Sequence, residues 1–227
     1  MSLILNIDTS TETAHVSIAK DGTVLQAMFN KEQNNHAAFL QPAIKKILID
    51  AEISMHEIDA VAVTEGPGSY TGLRIGMASA KGLCYALNKS LITIGTLEVL
   101  TNAAIEIIQQ QSSINQNALL CPMIDARRME VFTAVYDMKL KNIMPPSAVV
   151  LDDKSFEDLF SHNHISFFGS GSEKWKAICK NANAFFYDIA ISVNAMSKLS
   201  KQKFDKKKFA DIAYSEPLYI KEFYINK

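Results

Sequence analysis

Three strand-like segments precede the first helical one, and that order restricts the chain to a small set of folds. Residues 3–8 (LILNID) form a short apolar run that ends in Asp8 and is bounded by the polar TSTET, the pattern of a buried central strand followed by a turn. Residues 13–19 and 23–29 read as two more strands, joined by Lys20, Asp21 and Gly22, where Asp-Gly signals a hairpin. From His36 onward, Phe39, Leu40, Ala43, Ile44, Ile47 and Leu48 recur at three- and four-residue spacings, a broad helical stripe. Residues 59–64 (DAVAVT) follow as a strand, GPGSYTG leads into a helix ending near Leu87, residues 91–94 are a strand and residues 96–110 a helix. The order βββαβαβα is an antiparallel meander feeding parallel crossovers, so the chain is expected to be α/β with a mixed sheet flanked by helices.

A weaker copy of this unit starts near residue 118. Residues 118–125 are again an apolar strand ending in aspartate, so Asp8 and Asp125 are expected at matching positions. Residues 131–136 form the second strand and, after Pro145 and Pro146, residues 148–151 the third. A short helix over 155–160, a strand over 165–168 and helices over 172–180 and 189–199 complete the reading. Two related lobes are therefore expected, residues 1–114 and 115–227, with the boundary at residues 115–117 and the end of the chain, from Tyr214, returning across the first lobe.

Composition narrows the function. Lys and Arg number 23 against 24 Asp and Glu, a net charge of −1, so no overall basic field is available to hold nucleic acid. The charge is uneven, however: residues 196–227 carry 8 basic and 4 acidic side chains, concentrated at Lys198, Lys201, Lys203, Lys206, Lys207 and Lys208 around a loop-like KQKFDKKK. That run reads either as a solvated helix end and linker or as an accessory contact for RNA or a partner. No window holds the roughly 18 to 20 apolar residues of a membrane span, and the N-terminus has no basic and apolar leader pattern, so a cytoplasmic location is expected. Cys84, Cys121 and Cys179 are odd in number and far apart, which fits reduced thiols and offers no zinc cage.

Gly66-Pro-Gly68-Ser-Tyr-Thr-Gly72, between a strand and a helix, is the sharpest local feature. It lacks the Gly-Lys-Ser/Thr of a Walker A loop and the spacing of a dinucleotide fingerprint. Two readings stay open: an anion site built from free N–H groups at a helix N-terminus, or a tight turn capped by Ser69 or Thr71. In the helix that follows, Gly68, Gly72, Gly76 and Ala80 recur every four residues. Because glycine in a helix interior costs about 1 kcal/mol relative to alanine, the repeat implies a close neighbour, either within the chain or on a partner. Asp8-Thr9-Ser10 stands where sugar kinases and actin-like ATPases carry a metal and phosphate loop, yet it also reads as a simple capped turn. The matching Asp125-Ala-Arg-Arg has no glycine, and Gly169-Ser-Gly171 is a short turn, so any nucleotide site is degenerate, with Asp8, Thr9, Gly66, Gly68 and Ser69 as its candidate residues. His162 and His164 are an isolated pair in a polar loop, His15 and His56 stand alone, and His36 opens the first helix. No metal site and no catalytic residue are assigned.

The segments ILNIDTSTETAHVSI, Asn35-His36 through Leu40 and Pro42, DAVAVTEGPGSYTGLRIGMASAKGL, IGTLEVL and MIDARRMEVFTAVY resemble the bacterial TsaB (YeaZ) family, strongly to about residue 136 and loosely beyond, through Gly169-Ser-Gly171 and EPLYIK. The resemblance implies a two-lobe actin-like ATPase (ASKHA, ribonuclease H-like) fold with mixed five-stranded sheets. It also implies a part in placing threonylcarbamoyl on the adenosine beside the tRNA anticodon. In that family the protein is a noncatalytic partner of TsaD, with the ATPase TsaE as third component, and tRNA is met indirectly. TsaD-like proteins carry a histidine pair where this chain has Thr96 and Leu100, and a Ser-Gly-Gly loop where it has Ile124-Asp125-Ala126-Arg127. The resemblance thus points to an inactive paralogue.

By the same resemblance the first two helices pack on TsaD, or on a second copy of this chain when TsaD is absent. His36, Phe39, Leu40, Tyr70, Arg74, Gly76 and Ala80 are the expected interface. Leu in place of Gly76 or Ala80 is then expected to break partner binding in a folded monomer. ATP or ADP is expected, if anywhere, at a degenerate site or at the shared interface. The competing readings are a small kinase or ATPase using Asp8 and the Gly66 loop, which a chain of 227 residues is short to supply, and a metallopeptidase, which lacks its ligands.

Overall fold

The computed structural model describes residues 1–31, 35–110 and 118–221. Two compact units emerge, Met1–Thr96 with Ser192–Leu218, and Leu97–Ile191 with Tyr219–Lys227. The division falls at Thr96 rather than after the third helix, so that helix goes with the second unit, while Ser192–Leu218 goes with the first. The expected boundary at residues 115–117 lies outside the described residues.

In the first unit β1 (Leu3–Asp8), β2 (Ala14–Lys20) and β3 (Thr23–Asn30) form the antiparallel meander, and β4 (Ala60–Gly66) and β5 (Ser90–Gly95) add in parallel, giving the order β3-β2-β1-β4-β5. Strand alternation decides what each face carries. Leu5 and Ile7 of β1, with Val16 and Ile18 of β2, pack against α1 (His36–Asp50) and α2 (Tyr70–Leu87). Asn6 points the other way and donates to the Ser197 hydroxyl of α6 (Val193–Asp205) at 3.2 Å. The sheet is thus covered by α1 and α2 on one face and α6 on the other. Helix α1 forms despite Pro42 in its interior. A proline there costs about 3 kcal/mol, whereas burying Leu40, Ile44, Ile47 and Leu48 returns about 1.5 to 3 kcal/mol each.

The second unit repeats the plan. After α3 (Thr96–Gln110), β6 (Leu119–Asp125), β7 (Glu130–Tyr136), β8 (Asn142–Val150), β9 (Ile165–Phe168) and β10 (Ala184–Tyr187) pair in the order β10-β9-β6-β7-β8, which is the first sheet's order and strand sense. Asp8 and Asp125 end the two central strands. Short helices α4 (Glu157–Phe160) and α5 (Ser172–Ile178) complete the unit, and its core is aromatic, with Phe167 touching Phe186, Phe156 and Trp175.

Three departures from the sequence reading have clear causes. Strand β8 begins at Asn142, before Pro145 and Pro146, because an edge strand has no need of the missing N–H groups. Strand β10 has only four residues and no alternation; its burial pattern is set by pairing with β9. Helix α6 runs on to Asp205 through part of the lysine-rich segment, supported by the i,i+4 pair Lys201–Asp205.

Candidate functional site

The loop after β1 is held as a unit. Asp8 is fully buried, and its Oδ1 accepts the Ser10 backbone N–H at 2.9 Å, the Ser10 hydroxyl at 2.6 Å and the Thr64 hydroxyl of β4 at 2.8 Å. Among the described residues its buried Oδ2 has no protein partner. Thr9 donates its hydroxyl to the Gly72 carbonyl at 2.7 Å, and the Ser10 carbonyl accepts the Ser69 N–H at 2.7 Å.

The glycine repeat has its close neighbour here. A Cβ at Gly68 would overlap the Ser10 carbonyl, one at Gly72 the Thr9 carbonyl, and one at Gly76 the Thr9 hydroxyl. Helix α2 therefore lies directly on its own Asp8-Thr9-Ser10 loop. Ser69 is the N-cap, accepting the Gly72 N–H at 3.3 Å. Ser69 caps the helix as the turn reading of GPGSYTG expects, and the Ser69 and Gly72 N–H groups go to the Ser10 carbonyl and the Ser69 hydroxyl. Asp8, Thr9, Gly66, Gly68 and Ser69 are brought together, but by packing that fills the space between loop and helix.

Histidines border this loop. His36 is buried and donates Nε2–H to the Thr11 carbonyl at 3.1 Å, leaving its buried Nδ1 unpartnered. His15 pairs with Asp8 across β1 and β2 and meets the Phe29 ring edge-on. Burial pulls the His15 imidazole below its ordinary pKa, Asp8 opposes that shift and His36 adds to it.

The matching loop in the second unit is built differently. The Asp125 carboxylate lies 2.8 Å from the Lys174 ammonium and accepts the Arg127 N–H at 2.6 Å. Partial burial raises its pKa, but the Lys174 and Arg127 contacts outweigh that, and the net shift is downward. Gly169 and Gly171 pack against Met123 and Ile124 as Gly68 and Gly72 pack against Ser10 and Thr9. Lys174 thus neutralises the Asp125 carboxylate.

The expected interface residues divide. Phe39 and Tyr70 are half-buried and Arg74 is exposed, its guanidinium 4.3 Å above the Tyr70 ring. His36, Leu40, Gly76 and Ala80 are buried within their own unit. Leu at Gly76 or Ala80 would collide with Thr9 or the core, so the monomer itself would suffer.

What α2 presents to solvent is the stripe two positions over: Arg74, Ala78, Gly82 and Ala86, with Tyr85 beside them, are exposed, Tyr85 at 84%, and among the described residues nothing lies within 4 Å of a Cβ built on Gly82. Ala37, Ala38, Gln41 and Pro42 are exposed on α1. Ala78, Gly82 and Ala86 follow the same four-residue spacing as the buried glycines, a signal the sequence contained but in competition with the stronger Gly68-Gly72-Gly76 repeat.

Among the described residues no group of three or more His, Cys, Asp or Glu side chains is placed to hold a metal ion. His162 and His164 are exposed, and His164 rests on Phe185. Burial raises the Cys84 thiol to about 11 and the Cys121 thiol to about 12, so neither is a nucleophile near neutral pH. No helix among the described residues is long and apolar enough to cross a membrane.

The family model described as "TsaD: tRNA N6-adenosine threonylcarbamoyltransferase" matches residues 30–222. Two curated relatives carry the name "tRNA threonylcarbamoyladenosine biosynthesis protein TsaB". The Bacillus subtilis protein is 31% identical over 153 residues, 66% of this chain and 63% of that protein. The Escherichia coli protein is 29% identical over 226 residues, 96% of this chain and 94% of that protein.

The chain belongs to this family, among its TsaB (YeaZ) members.

A Pseudomonas aeruginosa crystal structure, described as an uncharacterized protein with similarity to peptidase YeaZ, superposes with a TM-score of 0.79 at 22% identity, covering 97% of this chain and 100% of that one. Its fold is the one described above, and the repeated five-stranded sheets are those of the actin-like ATPase (ASKHA) class.

Proposed function

We propose that this chain is a noncatalytic subunit in the formation of threonylcarbamoyladenosine in tRNA, acting in the cytoplasm by binding a TsaD-type subunit through the outer faces of α1 and α2. The observation that carries the reading is the solvent-facing stripe Ala78-Gly82-Ala86. A helix face bare of long side chains, with Gly82 open to solvent and the aromatic Tyr85 beside it, lets a second helix approach closely, and aromatic anchors flanked by small residues concentrate binding energy.

Helix α2 uses its two flanks for different tasks in this reading. The Gly68-Gly72-Gly76 side serves the fold and the Ala78-Gly82-Ala86 side serves the partner. The same face joins two copies of this chain when TsaD is absent, and TsaE enters the larger assembly. The chain contributes no catalytic group. Its Asp8 loop is packed shut by α2 and its Asp125 is paired with Lys174, so ATP or ADP is held, in this reading, at the surface shared with the partner.

The test is genetic and chemical. In a bacterium depleted of this protein, nucleoside mass spectrometry is expected to show loss of threonylcarbamoyladenosine. Restoration is expected from the wild-type chain and not from Gly82→Arg. Restoration by Gly82→Arg at normal abundance would remove the α2 face from the account.

A further inference from the structure

The lysine-rich segment beyond α6 is absorbed neither by the fold nor by the proposed partner face. We propose that the turn formed by Lys206, Lys207 and Lys208, with the exposed ring of Phe209, is a contact for the phosphate backbone of RNA. The choice of RNA over other polyanions rests on the tRNA-modification reading above.

Four observations point to it. First, the three side chains are exposed and none is engaged in an ion pair or side-chain hydrogen bond among the described residues. The nearest acids in sequence are already occupied. Asp205 is held by Lys201, and Asp211 accepts the N–H groups of Ala213 and Tyr214. The local positive charge is therefore not neutralised from within.

Second, the turn is fixed rather than loose. The Lys208 N–H donates to the Lys203 carbonyl at 2.9 Å and the Lys207 N–H to the Phe204 carbonyl at 2.9 Å, closing α6 with the paired hydrogen bonds of a Schellman cap. Lys203 reaches the Thr93 carbonyl of β5 at 2.9 Å, and the Ala210 N–H bonds the Leu91 carbonyl at 2.8 Å, so both sides of the turn are tied to the edge strand.

Third, Lys207 holds the left-handed position of that cap, with φ of 51°. Glycine is the residue that takes this position without strain. A cationic side chain stands where the fold would favour none. Attraction of cations to the C-terminal end of a helix explains a basic residue in the last turn, but not a strained lysine with two more beside it.

Fourth, the turn ends the helix on the Asn6 face of the sheet, opposite α1 and α2. A partner bound on the α1–α2 face leaves it open. Phe209, 42% exposed and braced edge-on by Phe204, offers a ring for an unstacked base beside the ammonium groups.

The experiment titrates a tRNA transcript into the complex of this chain with its TsaD-type subunit at several salt concentrations. Lys206→Ala/Lys207→Ala/Lys208→Ala is expected to weaken binding about tenfold and to lower the slope of log K against log salt by about 2 to 3, near 0.7 to 0.9 per phosphate released. The control Lys139→Ala/Lys141→Ala/Lys154→Ala removes the same charge from the second unit and is expected to change neither.

Lys207→Gly separates the proposal from a capping role. It is expected to raise the thermal midpoint by about 2 to 4 °C while weakening tRNA binding. An unchanged salt slope in the 206–208 variant, an equal loss in the control, failure of that variant to assemble with the TsaD-type subunit, or capture of the chain by phosphatidylglycerol vesicles with tRNA affinity intact would each overturn the proposal. Failure of the wild-type chain to assemble would instead overturn the partner reading, and tRNA titration of the chain alone would then decide the lysine turn.

Discussion

The hydroxyl of Thr9 donates to the carbonyl of Gly72 across 2.7 Å, and the same oxygen lies so near Gly76 that a Cβ there would force it to move. The end of β1 and the first two turns of α2 are thus one packed element. Gly76→Ala is expected to cost about 1 to 3 kcal/mol, the ordinary penalty of overpacking, read as a lower urea midpoint at unchanged m-value. Gly82→Ala, on the open flank of the same helix, is expected to gain up to about 1 kcal/mol from helix propensity. Equal effects at the two sites would contradict the division of α2 into a buried and a free flank.

Asp8 has the role of a clasp between β1, its following turn and β4. Asp8→Ala strands the Ser10 and Thr64 hydroxyls in a fully buried setting. Since an unsatisfied buried polar group costs about 1 to 3 kcal/mol, the variant is expected to lose about 2 to 3 kcal/mol in denaturant titration. A loss below about 0.5 kcal/mol would show that the clasp contributes nothing.

His15 gives the fold a pH dependence of known sign. Its folded pKa lies below the ordinary imidazole value of about 6.5, chiefly through burial. As pH falls through that value the unfolded chain takes up a proton that the folded chain refuses, so stability declines between pH 6.5 and the lower folded pKa, with a slope of at most about 1.4 kcal/mol per pH unit. His15→Gln is expected to flatten this part of the stability profile, measured by denaturant titration from pH 7 to 5. An unchanged slope would place the proton elsewhere.

How much of this was legible beforehand depended on whether the signal was local. The strand that ends in aspartate recurs at Asp8 and Asp125, and the sheet order repeats with it, because apolar runs and the Asp-Gly turn are written in consecutive residues. The four-residue glycine spacing was equally visible, but its target was not: Thr9 and Gly72 are 63 positions apart, and only the fold shows that the repeat serves the chain itself. The spacing alone points Gly76 and Ala80 at a partner as readily as at the chain itself, and the weaker Ala78-Gly82-Ala86 repeat is hidden behind it. Strand β10 has no sequence signal because four residues carry no period, and the end of α6 has none because six lysines over residues 198–208 read as loop until Lys201 and Asp205 are seen paired.

In the proposed function the outer α2 flank is where the TsaD-type subunit binds. Titration calorimetry of that subunit with the wild-type chain and with Gly82→Arg tests it most directly, since the arginine enters open space and leaves the monomer's packing alone. The expected result is at least a hundredfold weaker binding, about 2.7 kcal/mol, with an unchanged thermal midpoint for the isolated variant. Full affinity in the arginine variant would contradict it.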